Sequence, residues 1–191
     1  EGEEARRLIL DLAQDIESEV VTLRAMAKLS RRTDDFLQEE ELKSVEKDLA
    51  RALILTNSSS VACFNYATFL IMAHRYGEAI KWLTKSMKQN PEGDNVSAHF
   101  MRAESILASA EQEKRSLTQS ELSRAMGDAT RAIVGRYRSQ EAYFFRGRII
   151  YENHRLGSLN TEPEEIWNLS QALEDLSYSI DIFPLNPAVY R

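Results

Sequence analysis

The sequence predicts an all-α protein assembled from antiparallel helical hairpins, and three observations carry that prediction. Only seven Gly and four Pro occur in 191 residues. Apolar residues recur at i, i+3 and i+4 inside long stretches of Ala, Leu, Glu, Lys, Arg and Gln, with no strand-like alternation of β-branched residues. Blocks of small and apolar residues also return in a fixed order along the chain. At 43% hydrophobic and 28% charged residues, the chain is too apolar for a disordered segment and long enough to bury a core.

The first element runs from Glu3 to about Leu29, where Ala5, Leu8, Ile9, Leu12, Ile16, Val20, Leu23 and Ala27 form one apolar stripe of a long amphipathic helix. Thr33 or Asp34 then supplies a cap for a second helix with a stripe through Leu42, Val45, Leu49, Ala52 and Leu53. That helix should stop near Asn57, because the short polar side chains of Asn57-Ser58-Ser59-Ser60 compete for backbone hydrogen bonds. A third helix begins at about Val61, and Tyr76-Gly77 marks the turn to a fourth.

From Ser60 to Pro91 a repeat unit is legible. Cys63, Tyr66, Ala67 and Leu70 occupy the W-x2-L-G-x2-Y positions of a first helix, Ala79 and Leu83 the A-x3-F positions of a second, and Pro91 the terminating slot. Small Ala67 and Ala79 allow two helices to approach closely, while Tyr66, Leu70 and Leu83 fill the space around them. The order recurs as His99, Arg102, Ala103 and Ile106 with Ala125, Ala129 and Ala132, and again as Tyr143, Arg146, Gly147 and Ile150 with Ala172, Leu176, Ser179 and Pro184. Val45 precedes Ala79 by 34 residues, the usual period, whereas Ala79 to Ala125 and Ala125 to Ala172 span 46 and 47. Capping boxes at Thr118-x-x-Glu121 and Thr161-x-x-Glu164, the latter with Pro163 in its first turn, predict that the two enlarged hairpins have longer helices, joined near residues 111–117 and 156–160.

On these motifs the chain resembles the tetratricopeptide repeat family, and the resemblance implies a right-handed superhelical array of antiparallel hairpins. It divides the chain into a long helix plus a repeat-like second helix (1–57) and an array (58–191) with repeats at about 60–93, 96–138 and 140–186 and a further one starting at 187. The N-terminal helix lacks the family pattern. Leu185-Asn186-Pro187 reads as a restart, with Tyr190 in the next aromatic slot; together with the absence of an initiator Met it suggests a piece of a longer chain.

The function classes narrow from the same residues. A net charge of −6 with no basic run opposes nucleic-acid binding. The single Cys63 excludes an internal disulfide and favours a reducing, cytoplasmic compartment, and no apolar run reaches membrane-spanning length. His74, His99 and His154 lack a metal-ligand spacing, Glu39-Glu40-Glu41 and Glu164-Glu165 suit helix starts, and no phosphate loop or nucleophile elbow occurs. No cofactor, metal, small-molecule substrate or catalysis is therefore expected, and the chain reads as a protein-binding scaffold or adaptor.

In arrays of the family it resembles, first helices line a concave groove, which points to Phe64, Asn65 and Thr68, then Phe100, Met101 and Glu104, then Phe144, Phe145, Arg148 and Tyr151 as partner-binding residues. Phe64, Phe100 and Phe144 follow the first core slot of each repeat, so they either form an aromatic ladder in the groove or pack against the adjacent helix. The chaperone-binding carboxylate clamp of the family finds Asn65 and Arg102 but not its lysines here. The alternative is a structural subunit of a large assembly whose groove is filled by its own N-terminal helix.

Overall fold

The computed structural model describes residues 2–30, 39–93, 95–155 and 169–182. Among them the chain forms eight helices and no strand: α1 (Gly2–Ser30), α2 (Glu39–Leu55), α3 (Ser60–Met72), α4 (Tyr76–Gln89), α5 (Val96–Gln112), α6 (Gln119–Val134), α7 (Ser139–Arg155) and α8 (Leu169–Ile182). The helices fall into two compact units, residues 1–93 and 94–191. In the first, α2 packs on α1 and α3, and α4 on α3. In the second, α6 lies against α5 and α7, and α8 against α7. The expected caps at Thr33 and Asp34, the 156–160 link, the Thr161 capping box, Pro184 and the restart at 185–190 lie outside the described residues.

Short polar side chains start α3 and α6, whereas Arg75 and Asn95 before α4 and α5 make no side-chain cap bond. Ser59 caps α3 by accepting the Ala62 amide at 3.3 Å. The helix ends are less obvious. α2, α3, α5 and α6 each close with a left-handed residue, Asn57, His74, Lys114 and Arg136, at φ between 42° and 58° together with their neighbours. After α3, Arg75 N–H donates to the Leu70 carbonyl and His74 N–H to that of Ile71, which satisfies the orphan carbonyls of the last turn. The α3–α4 turn is therefore Ala73–Arg75, and Tyr76-Gly77 begins α4 instead of forming the turn.

The first enlarged hairpin gains length in helix, as its capping box implies: α5 and α6 have 17 and 16 residues against 13 and 14 in α3 and α4; in the second, α7 has 17 residues and the described part of α8 has 14. Thr118 anchors α6 through both halves of its box, its Oγ1 accepting from Glu121 N–H at 3.3 Å and its own N–H donating to Glu121 Oε2 at 2.8 Å. Arg115 lies against the same carboxylate and, with the Thr118 donors, holds the Glu121 pKa down at about 2. Thr118→Ala is expected to cost about 1 kcal/mol in urea unfolding, with Thr118→Ser close to wild type. Because the folded pKa is depressed, the Glu121 contribution is complete above the unfolded value of about 4.3 and fades as pH falls through about 2.

One cross-helix register recurs in every hairpin. The residue before the small core residue of the first helix meets the residue three beyond the core residue of the second. Arg102 pairs with Asp128 and Arg146 with Asp175, each through Nε at 2.7 Å, and Arg24 with Asp48 through Nε at 2.8 Å. In α3–α4 the same two places hold Tyr66 and Trp82, edge to face at 5.2 Å between ring centroids. Burial and the nearby Glu46 carboxylate push the Tyr66 phenol up to about 12. The small residues permit this approach: a Cβ on Gly147 would stand 3.1 Å from the Ala172 carbonyl oxygen and 2.8 Å from Leu176 Cγ.

The register extends to α1, contrary to the reading that this helix lacks the repeat pattern. Val21, Arg24 and Ala25 occupy the places of Cys63, Tyr66 and Ala67, and Ser18, Val21, Ala25 and Leu29 are buried against α2. The apolar stripe seen in the sequence lies on the opposite face. Leu8, Ile9, Leu12, Ile16, Val20 and Leu23 are 55–68% exposed, so within its own unit this stripe of α1 fills no groove among the described residues.

Candidate functional site

The expected contact residues divide between the two units. In the first, Phe64, Asn65 and Thr68 are all half-buried on α3. The Thr68 hydroxyl donates to the Phe64 carbonyl at 3.0 Å within the helix. Asn65 reaches a cleft of about 610 Å³ between α3 and α1, which it shares with Val61, Ala62, Thr22 and Leu23.

In the second unit the residues form an aromatic cluster that is mostly internal. Phe100 is 1% exposed and packs with Phe145, Tyr137, Ala132 and Ala142, with Met101 at the edge. Its ring lies 5.5 Å from Phe145 and 5.6 Å from Tyr137. Of the two readings open at this slot, packing holds for Phe100, and it drops out as a surface contact. Phe144 stacks 5.7 Å from Phe145 and beneath the Arg148 guanidinium, so Phe145 links it to Phe100. Arg148 is itself paired with Glu111, bridging α7 to α5. Tyr151 is 52% exposed, the most open of the candidates with an aromatic ring.

Glu104 is half-buried on α5, and burial raises its pKa, with Arg138 opposing and Glu141 adding to the rise. Asp128 shows the reverse balance. Burial alone pushes its carboxyl up, but hydrogen bonds from His99 Nδ1 at 2.6 Å and from Arg102 outweigh it, and the pKa falls. His99 is thereby held within its hairpin, and His74 Nδ1 bonds Tyr76 Oη at 2.8 Å. Burial raises the Cys63 thiol, with Lys85 opposing, which leaves it a packed apolar-like group. Among the described residues no three His, Cys, Asp or Glu side chains converge as a metal site, and no helix is long and apolar enough to cross a membrane.

Sequence reasoning missed the Arg–Asp register, although its signal was present as Arg followed by Ala or Gly, and Asp three residues after Val or Ala. It also missed which face of α1 is buried. Two solved structures superpose on almost the whole chain. The fold is that of MamA. "MamA 41-end from Desulfovibrio magneticus RS-1" and "MamA RS-1 ArsTM double mutant" each match with a TM-score of 0.65 at 11% identity, covering 91% of this chain and 79% of theirs. Both superpose as helical-hairpin repeats, which establishes the architecture and leaves function to the residues themselves. The sequence matches no family model and no curated protein.

Proposed function

We propose that this chain is a tetratricopeptide-like, non-catalytic scaffold that holds a protein partner through the first helices of its hairpins. The observation that carries the reading is the division of labour within the hairpins. Three of the hairpins commit a buried Asp and an Arg to a repeated register that fixes one helix on the next, while on α3 and α7 Phe64, Asn65 and Phe144 are half-buried and Tyr151 is exposed. Such side chains bury large apolar area at low entropy cost, which suits recognition more than chemistry. The shifted titratable groups belong mainly to ion pairs between helices or at helix ends, an arrangement that rigidifies without assembling a nucleophile and base.

A second reading, a permanent subunit of a larger assembly, draws support from the outward apolar stripe of α1, since an obligate interface resembles a core cut in half. It no longer includes a groove filled by α1. The test is a photo-crosslinking amino acid in place of Tyr151, carried in cell extract by the wild-type chain and by a Phe144→Ser variant. A protein adduct on the wild-type chain, weakened about tenfold or more by Phe144→Ser while helicity is kept, supports the reading. Absence of any adduct from both chains overturns it for α7.

A further inference from the structure

α1 has two apolar faces, and among the described residues only one is packed. Ser18, Val21, Ala25 and Leu29 pack on α2, whereas Leu8, Ile9, Leu12, Ile16, Val20 and Leu23 run along the opposite side at helical spacing with more than half their surface exposed. From Leu8 to Leu23 the stripe rises about 23 Å, four turns of helix. A contiguous apolar band of this length on a folded surface marks a binding face. At its C-terminal end the stripe runs into the α1–α3 cleft, where Leu23 faces Val61, itself 69% exposed, and Ala62.

The charges around the stripe decide what fits it. Asp15 and Glu19 line the cleft on the α1 side, and none of the described residues lining it is basic. In the half of α1 that borders the cleft, from Asp15 onward, the other charges are committed: Glu17 pairs with Arg51, and Arg24 and Lys28 with Asp48, while Arg6 and Arg7 stand two turns or more before Asp15. Asp15 and Glu19 have no ion-pair partner among the described residues. We propose that the outward stripe of α1 and the adjoining cleft take one amphipathic helix of a partner protein, its apolar face edged with Lys or Arg. This deepens the proposed scaffold role and rests on it, extending the first-helix surface at Asn65 onto α1 and naming the chemistry of its occupant.

Two other occupants fit less well. A second copy meeting this stripe antiparallel about a two-fold axis sets the same edge of α1 against itself, Asp15 and Glu19 facing their own counterparts. An anionic bilayer meets the same uncompensated carboxylates, whereas surface-binding helices carry Lys and Arg along that border. A basic-edged helix satisfies the apolar band and both free acids together.

The experiment uses two fluorescent peptides of about 18 residues with one Leu stripe, edged by Lys in one and by Glu in the other, titrated with the whole chain and read by anisotropy. The Lys-edged peptide should bind about tenfold or more tightly than its Glu twin. Leu12→Glu with Ile16→Glu should abolish binding, and Asp15→Lys with Glu19→Lys should reverse the preference. Glu39→Lys with Glu40→Lys makes the same change in net charge at exposed positions of α2 and should alter binding by less than about twofold. All substituted side chains are exposed, and unchanged helicity by circular dichroism checks the fold.

Failure of the Lys-edged peptide to bind, or an equal effect from the α2 control, overturns the proposal. So does a dimer in sedimentation, or binding to vesicles containing phosphatidylserine, that Leu12→Glu with Ile16→Glu abolishes; these identify a second copy or a membrane instead. A negative peptide result alongside a Tyr151 adduct removes the α1 site and leaves the scaffold reading standing, and a negative result in both removes both.

Discussion

Asp128→Ala is expected to lower the unfolding free energy by about 3–5 kcal/mol. Asp128 is 1% exposed on α6, and its carboxylate accepts from Arg102 Nε and Nη2 at 2.7 and 2.9 Å and from His99 Nδ1 at 2.6 Å. The Arg102 side chain is only 12% exposed, so removing Asp128 takes the carboxylate from a guanidinium that water cannot fully rehydrate. Asp48 occupies the equivalent place in the first hairpin, but Arg24 is 55% exposed there, and Asp48→Ala should cost about 1 kcal/mol or less. Urea unfolding followed by circular dichroism measures both; equal losses sink the argument from burial.

The same substitution carries a pH signature. His99 and Arg102 hold the Asp128 pKa below its unfolded value despite burial, so the carboxylate stabilises the fold in full above the unfolded pKa of about 3.9. As pH falls through the lowered folded value that contribution is lost. The gap between wild type and Asp128→Ala should therefore be widest near neutral pH and close on acidification below about 4.

Helix starts and hairpin order were legible in the sequence because they rest on local chemistry. Ser59 and Thr118 cap by reaching the amide three residues away, and Ala67 with Ala79 or Ala103 with Ala125 mark close approach by size alone. The turns were less legible because His74, Lys114 and Arg136 adopt the left-handed conformation that Gly usually announces. α1 misleads for a different reason. Its outward stripe of Leu, Ile and Val outweighs the buried Ser18, Val21, Ala25 and Leu29, and Lys28 stands where Leu70, Ile106 and Ile150 stand in the other first helices. Periodicity locates an apolar face but cannot say whether the neighbouring helix or a partner covers it.

Phe100→Ala should cost about 3–5 kcal/mol, a core effect from a position whose sequence slot suggests a binding residue. Phe64, Phe100 and Phe144 share that slot, yet only Phe100 is fully buried, because Tyr137 and Phe145 close over its ring and Arg138 lies 5.7 Å above it. Exposure at a repeated slot is set by the residues that follow in the next hairpin, and these vary from one repeat to the next. Tyr151 is 52% exposed on α7, and Tyr151→Ala should change stability by less than about 1 kcal/mol. Unfolding of the two variants separates the roles: a large loss for Phe100→Ala and a small one for Tyr151→Ala assign Phe100 to the scaffold and leave Tyr151 free for a partner. If Phe100→Ala unfolds like wild type, the aromatic cluster around Tyr137 and Phe145 is open, and the ladder of three phenylalanines returns as a binding surface.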